Sequence, residues 1–452
     1  MSRSILAVLP FLAVAVSSCC SDPVDQSSYF CMGDLSIEDE QKMGDSYAPV
    51  IDVQYDGEYN DPQAADYLGG LVREMASNSV YGNSAFSWKF EILNTSIPNA
   101  FAVPGGYVYI TRGLLANLDT EGQFISVLGH ELGHVEHRHI HQQMGRSMIG
   151  ELFVGALDTA ESIATNGSGP GIAGQIGGIA TQLTLLRFSR GQESQADMRG
   201  VFYAAKMGYD PADGEKTFAY FQKLEAESGG DTPEILRTHP LNEDRIANIQ
   251  KEIETHYPET LNRPASSFRP NKDGNSRFAE VVARIKQVEP IYEKHDKALD
   301  LVMTGMDKKD KAKVQQGYAT LQTCANQLSD DEMVQTSLGI AQYAMDDLNN
   351  ARSSFQHAIT LDDRHNPSRK LYRPRFLLGL VEFDAKQYAK AKSALSDAIG
   401  VMDQDPQAYY VLGETNEALG DRSSAKSAYE SAAQLGEGTD LGKKAAEKAA
   451  KL

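Results

Sequence analysis

The chain has 452 residues, 43 Lys+Arg against 62 Asp+Glu for a net charge of −19, and 41% hydrophobic residues. This is the composition of a globular protein of two or three domains. So acidic a balance argues against a nucleic-acid partner, which needs clustered Lys and Arg. Four cysteines exclude a scaffold built from disulfides.

Residues 1–18 read as a lipoprotein-type signal peptide. Arg3 and the amino terminus supply positive charge, and Ile5 to Val16 is an apolar run of twelve residues. That length suits a signal-peptide core and is too short to span a bilayer. The run ends in Val16-Ser17-Ser18-Cys19, which resembles a bacterial lipobox with Cys19 as the acylated first mature residue. An ordinary secretory signal cut near Ser18 or Cys20 is the alternative. Either way the mature protein is expected in the periplasm. The lipobox adds a lipid anchor to a membrane, with the outer membrane favoured. No later stretch reaches eighteen apolar residues without a charge, which excludes a polytopic membrane enzyme. A Cys20–Cys31 bridge is open to the chain in an oxidising compartment.

Residues 19–36 read as a tether and 37–264 as a first domain. Residues 265–275, rich in Ser, Pro and Asn, read as a linker, and 276–452 as a second domain. In the first domain Phe86–Ile92 and Gly106–Ile110 alternate like strands, and most of the rest reads as helix. Gly-Ser-Gly-Pro-Gly at 167–171 and Gly-Gly at 177–178 mark a loop or lid.

The second domain repeats itself. Leu338-Gly339, Leu378-Gly379 and Leu412-Gly413 each open one pattern. Twelve residues after each Gly stands Ala351, Ala391 or Ala425, four further on Phe355, Leu395 or Tyr429, and three beyond that Ala358, Ala398 or Ala432. The offsets are 40 and 34 residues, the first enlarged by an insertion around Asn366–Tyr372. Gly305, Gly317, Leu321 and Cys324 form a degenerate fourth copy, which makes Cys324 a buried, inert thiol. The pattern resembles the tetratricopeptide repeat (TPR), whose small residues let paired helices pack closely and whose concave face binds peptides or partner proteins.

Chemistry is concentrated in Val127-Leu128-Gly129-His130-Glu131-Leu132-Gly133-His134. Four residues of helix advance the chain by about 400°, so His130 and His134 project from one face. Two imidazoles placed so can bind one tetrahedral Zn²⁺, with Glu131 beside the metal as general base for a water. A bare HExxH also arises by chance, as a polar helix with solvated histidines. Here it follows an apolar helix start, and Gly129 and Gly133 leave room for close backbone packing. The metzincin spacing fails, because positions 137 and 140 hold His137 and Ile140. The best third ligand is Glu193, 59 residues after His134. Glu193 and Asp197 are i,i+4 and share a helix face, so one can ligate while the other accepts a hydrogen bond from a ligating imidazole. Glu151, Asp158 and Glu161 are rivals by nearness. His137, His139 and His141 are expected as solvated helix-end histidines.

With these motifs the chain resembles the HtpX/BepA type of zinc metallopeptidases, gluzincins with an HExxH helix and a distal Glu-x-x-x-Asp, over about residues 37–255. Ile97-Pro98-Asn99-Ala100-Phe101-Ala102-Val103-Pro104-Gly105-Gly106-Tyr107-Val108-Tyr109 is similar to the family's segment before the active-site helix. The resemblance implies that this segment, with Asn99, Ala100, Phe101, Gly105 and Gly106, is an edge strand on which a substrate peptide lies by β-addition. It also implies one Zn²⁺ per chain on His130, His134 and Glu193, with Glu131 as base and Asp197 behind the ligands. It singles out His239 and Arg245 as groups that help stabilise the transition state. In BepA-like members the His can instead bind zinc and hold the enzyme inactive. Local spacing alone reads His239 as a surface-loop histidine.

The expected fold is α+β, a mostly helical metallopeptidase domain with a small sheet, followed by an all-α TPR solenoid. The expected function is a zinc-dependent endopeptidase of the bacterial cell envelope that degrades misfolded or stalled envelope and outer-membrane proteins. Its expected partners are polypeptide substrates, a membrane reached by the lipid anchor, and envelope or outer-membrane assembly proteins bound by the TPR domain. The alternative is a chaperone or adaptor acting mainly through the TPR domain, with proteolysis secondary.

Overall fold

The computed structural model describes residues 18–31, 36–82, 86–147, 187–229, 232–241, 244–269, 272–367 and 369–452. Residues 1–17 of the signal segment, the rival ligands Glu151, Asp158 and Glu161, and the Gly-rich 167–178 stretch lie outside the described residues.

Part of the expected tether is a hairpin, β1 (Ser18–Ser21) antiparallel to β2 (Ser28–Cys31). Cys20 is disulfide-bonded, and Cys324 is free and buried as expected. Helices α1 (Ile37–Gln54) and α2 (Pro62–Ser77) precede a three-stranded sheet of β3 (Lys89–Leu93), β4 (Ala100–Val103) and β5 (Tyr107–Thr111), in the order β3-β5-β4. The central strand β5 runs parallel to β3 and antiparallel to β4. All five of its residues are buried, as a strand covered on both faces requires. That leaves β4 as an edge. Gly105 and Gly106 turn the chain from β4 to β5 at φ +86° and +81°, in the left-handed region that a Cβ disfavours. A Cβ on Gly105 would also lie 2.6 Å from the carbonyl oxygen of Glu40.

After the short α3 (Arg112–Leu115) comes α4 (Glu121–Glu136), opened by a capping box of Thr120 and Gln123. Helix α5 (His139–Ser147) follows it. Helix α6 (Arg190–Met207) begins with a second capping box, Ser189 and Gln192, and stops at Gly208 with φ +86°. Then follow α7 (Asp213–Glu227), α8 (Glu234–Thr238) and α9 (Asp244–His256).

Helices α4 and α6 touch backbone to backbone because glycines line their crossing. A Cβ on Gly129 would meet Gly200 Cα at 3.1 Å, and one on Gly133 would meet Arg199 Cβ at 2.8 Å and Ala196 Cα at 3.0 Å. Gly133→Ala should force the helices apart and cost roughly 1–3 kcal/mol, the usual penalty of overpacking. It is read as a lower melting midpoint together with weaker metal retention. An unchanged midpoint would mean that the crossing is not tight.

The carboxy-terminal part is all helix: α10 (Lys272–Asp307), α11 (Lys311–Gln327), α12 (Glu332–Ala344), α13 (Leu348–His365), α14 (Tyr372–Asp384), α15 (Tyr388–Val401), α16 (Pro406–Ala418), α17 (Arg422–Leu435) and α18 (Asp440–Lys451). The repeat reappears as packing. A Cβ on Gly339, Gly379 or Gly413 would lie 2.5, 2.7 or 2.6 Å from Phe355, Leu395 or Tyr429 respectively.

Two expectations about organisation need correction. Helix α10 begins at Lys272, inside the stretch read as linker, and its Phe278, Val281, Val282, Ile285 and Tyr292 join Phe124 and Leu128 of α4 in one core. The boundary at 276 therefore does not separate two cores. The insertion around Asn366–Tyr372 is also more than a break in the repeat. Its Arg369 donates to both carboxylate oxygens of Asp52 in α1, at 2.8 and 2.5 Å, and to the Ala48 carbonyl at 2.9 Å, while also pairing with Glu91 of β3. Arg373 adds a contact to Asp56 at 2.8 Å. These ion pairs clamp the repeats onto the sheet side of the first domain.

Candidate metal centre

Helix α4 presents His130 and His134 on one face, and α6 presents Glu193 and Asp197 on the face opposite. Helix α8 ends at His239, and α9 supplies Arg245. All are buried. The Nε2 atoms of His130 and His134 lie 3.0 Å apart, and Glu193 oxygens lie 3.6 and 3.5 Å from them. His239 Nδ1 lies 3.2 Å from His130 Nε2 and 3.1 Å from Glu193 Oε1. Ligand bonds of about 2.0–2.1 Å in a tetrahedron place ligand atoms about 3.3–3.4 Å apart, so the donor set fits a zinc-sized ion. Glu193 Oε2 has no aligned hydrogen-bond partner, although Arg245 Nη1 is only 2.7 Å away as an ion pair. A buried carboxylate held by Arg245 beside two converging imidazoles is what a metal ligand requires.

The surroundings fix the ligands. His130 Nδ1 lies 2.9 Å from Asp197 Oδ1, so the imidazole donates there and turns Nε2 to the centre. Arg245 donates to Asp197 from Nε at 2.8 Å and from Nη2 at 2.6 Å. Its fork is thus engaged by Asp197 and Glu193, which makes it a positioning group for the ligands in this structure, where an oxyanion donor was expected. His134 Nδ1 lies 2.8 Å from His139 Nδ1, and the His134 ring stacks on Phe188 with centroids 3.8 Å apart.

Burial, reinforced by the neighbouring imidazoles and Arg245, holds His134 well below the ordinary histidine range, in the neutral form that binds metal. Burial pushes the Glu131 carboxyl up, with His239 and His130 opposing, and the net direction is upward, as suits a base. Burial also pushes Asp197 up, but the Arg245 charge and hydrogen bonds more than reverse this and keep it ionised.

The chain's remaining site residues fall as follows. Asn99 is buried and donates to Glu234 Oε1 at 2.9 Å, tying the start of β4 to α8. Ala100 lies within β4, with its side chain in the core. A cleft of about 480 Å³ runs between β4 and the centre, lined by Phe101, Ala102, Val103, Glu131, His134 and His239. Gly105 and Gly106 serve the β4–β5 turn. Beyond His130 and Glu131 lies a second cavity of about 570 Å³ with apolar walls that include Val127, Val201, Phe218 and Ile249.

The expectation of solvated histidines after the motif was wrong. His137, His139 and His141 are 4%, 0% and 8% exposed. Arg138 takes φ +53°, which breaks the helix and folds His139 back onto His134. Helical spacing cannot foresee that, because i+5 lies off the ligand face. His239, read locally as a surface histidine, is also buried.

A histidine pair and a distal carboxylate converging beside a buried glutamate define an HExxH metallopeptidase domain. Residues 62–253 match Peptidase family M48, and residues 406–435 match the tetratricopeptide repeat. The chain is 31% identical over 236 residues to the beta-barrel assembly-enhancing protease of Escherichia coli K12, covering 50% of this chain and 46% of that protein. It is 28% identical over 181 residues to the mitochondrial metalloendopeptidase OMA1 of Arabidopsis thaliana, covering 38% and 34%. It thus spans about half the length or less of these two relatives. The crystal structure of TTC0263, a TPR protein of Thermus thermophilus, is 19% identical, covering 40% of this chain and 91% of that one, with a TM-score of 0.29.

Proposed function

We propose that the protein is a zinc-dependent endopeptidase that cleaves extended segments of misfolded or stalled proteins in the bacterial cell envelope. The observation that carries the reading is the convergence of His130, His134 and Glu193 at one end of a cleft whose wall is the edge strand β4. When bound, the metal supplies Lewis acidity for the peptide carbonyl and for water. A substrate strand adds to the free edge of β4, which sets its peptide plane against Glu131. Glu131 takes the proton of the attacking water and passes it to the leaving amine. His239, 3.8 Å from Glu131 through Nε2, is placed to donate to the developing oxyanion. Asp197 and Arg245 hold His130 and Glu193 in position. The apolar cavity beyond His130 accepts a hydrophobic side chain next to the scissile bond.

Export, acylation at Cys19 with the outer membrane favoured, and recruitment of outer-membrane assembly proteins by the repeats belong to the same proposal. It is supported by the sequence at the amino terminus, by the repeat and by the name of the E. coli relative. No helix among the described residues is long and apolar enough to cross a membrane. The test is cleavage of casein by purified protein with and without a chelator, followed by re-addition of zinc. Turnover that survives complete metal removal rejects the reading.

His239 supports a second, compatible role. Its Nδ1 lies 3.2 Å from His130 Nε2 and 3.1 Å from Glu193 Oε1, so the resting enzyme is proposed to carry three imidazoles and one carboxylate, with His239 swinging away before substrate binds. Metal-edge absorption spectroscopy should count one nitrogen fewer in His239→Ala than in wild type. Equal counts would remove the gate.

A further inference from the structure

The two imidazole ligands are held differently. His130 leans directly on the carboxylate of Asp197. His134 leans on another imidazole, and that one leads out of the domain's core to the amino-terminal hairpin. His134 Nδ1 is 2.8 Å from His139 Nδ1, His139 Nε2 is 3.1 Å from Gln195 Oε1, and Gln195 Nε2 donates to Asp25 Oδ2 at 2.9 Å. With His134 Nε2 facing the metal, each link has one possible direction. His134 Nδ1–H donates to His139 Nδ1, so His139 carries its proton on Nε2 and donates to the Gln195 oxygen, and the Gln195 amide donates to Asp25. The chain therefore ends, like that of His130, on a carboxylate.

A second arm from the same hairpin secures the middle of this chain. Asp22, wholly buried, accepts from His137 Nδ1 at 2.7 Å and from the Val24 amide at 2.8 Å. The His137 ring in turn stacks on His139, with centroids 5.3 Å apart and planes 10° from parallel. One hairpin thus supplies the carboxylate that terminates the relay and the carboxylate that fixes the ring stacked on it.

We infer that the hairpin of residues 18–31 is a working part of the metal centre, with Asp25, Gln195 and His139 acting as positioning residues for His134. Outer partners of this kind are worth about 10–100-fold in metal affinity. The inference rests on His134 being a metal ligand.

The experiment is zinc affinity of the full chain, measured by competition with a chromophoric chelator, for His134→Ala, His139→Phe, Asp25→Ala and the double variant His139→Phe/Asp25→Ala. Asp25 is exposed and its removal leaves the core intact, so its variant reports even where His139→Phe fails to fold. Asp25→Ala is expected to weaken zinc several-fold and His139→Phe about 10–100-fold. The double variant should be no weaker than His139→Phe alone, because a relay already cut cannot be cut again. A merely structural role would give additive losses. Wild-type affinity in Asp25→Ala, or additivity in the double variant, overturns the hairpin's part. If His134→Ala itself binds zinc like wild type, the ligand assignment has failed instead.

Discussion

Glu131→Gln is expected to keep its zinc and lose peptide hydrolysis by at least ~10²–10⁴-fold, the usual contribution of a general base. The amide preserves size and hydrogen bonding but cannot take a proton. None of the converging ligand atoms of His130, His134 and Glu193 belongs to residue 131, so the metal should stay. Glu193→Ala should do the reverse and lose the metal first, because it removes the carboxylate that closes the ligand set. The pair is informative through the separation of the two readouts, zinc content by elemental analysis and cleavage of an unstructured peptide. A folded Glu131→Gln protein without zinc, or one that cleaves at the wild-type rate, would sink the assignment of Glu131 as base.

The centre was legible to the extent that it is periodic. His130 with His134, and Glu193 with Asp197, are i,i+4 pairs, so each pair announces a shared helix face. The glycines between them announce close packing. What no period encodes is which groups the crossing brings from elsewhere. His239 follows the five-residue helix α8 and came into view only through the family resemblance. His139 was missed because a left-handed residue, Arg138, turns the chain just before it. Arg245 is expected at the oxyanion from the resemblance, but its fork is already engaged by Asp197 and Glu193, an engagement no local spacing encodes. The fold followed the same rule. The repeats were legible as a phase of small and large residues, whereas the clamp of Arg369 on Asp52 joins residues 317 apart. The linker reading failed because a polar start, Lys272 to Ser276, masks a helix whose next turns are core.

That helix sets the second large expectation: a chain ending at residue 275 should not fold. Deleting everything beyond would strip Phe278, Val281, Val282, Ile285 and Tyr292 from the core that also holds Phe124 and Leu128 of the active-site helix. Phe278 alone packs its ring 6.1 Å from that of Phe124. Removing one buried large side chain costs about 2–5 kcal/mol, and a domain's whole stability is about 5–15 kcal/mol, so the loss of several exceeds what remains. A chain ending at residue 347 is the control. It keeps α10 to α12, including Met333 and Val334 of the same core, and gives up the Arg369 clamp and the later repeats. It should melt cooperatively, at a lower midpoint than the full chain, and should still bind zinc. Circular dichroism melts with zinc content read on both truncations decide the matter. A shorter chain that melts cooperatively and holds zinc as tightly as the full protein would restore the boundary at 276 and make α10 part of the repeats alone.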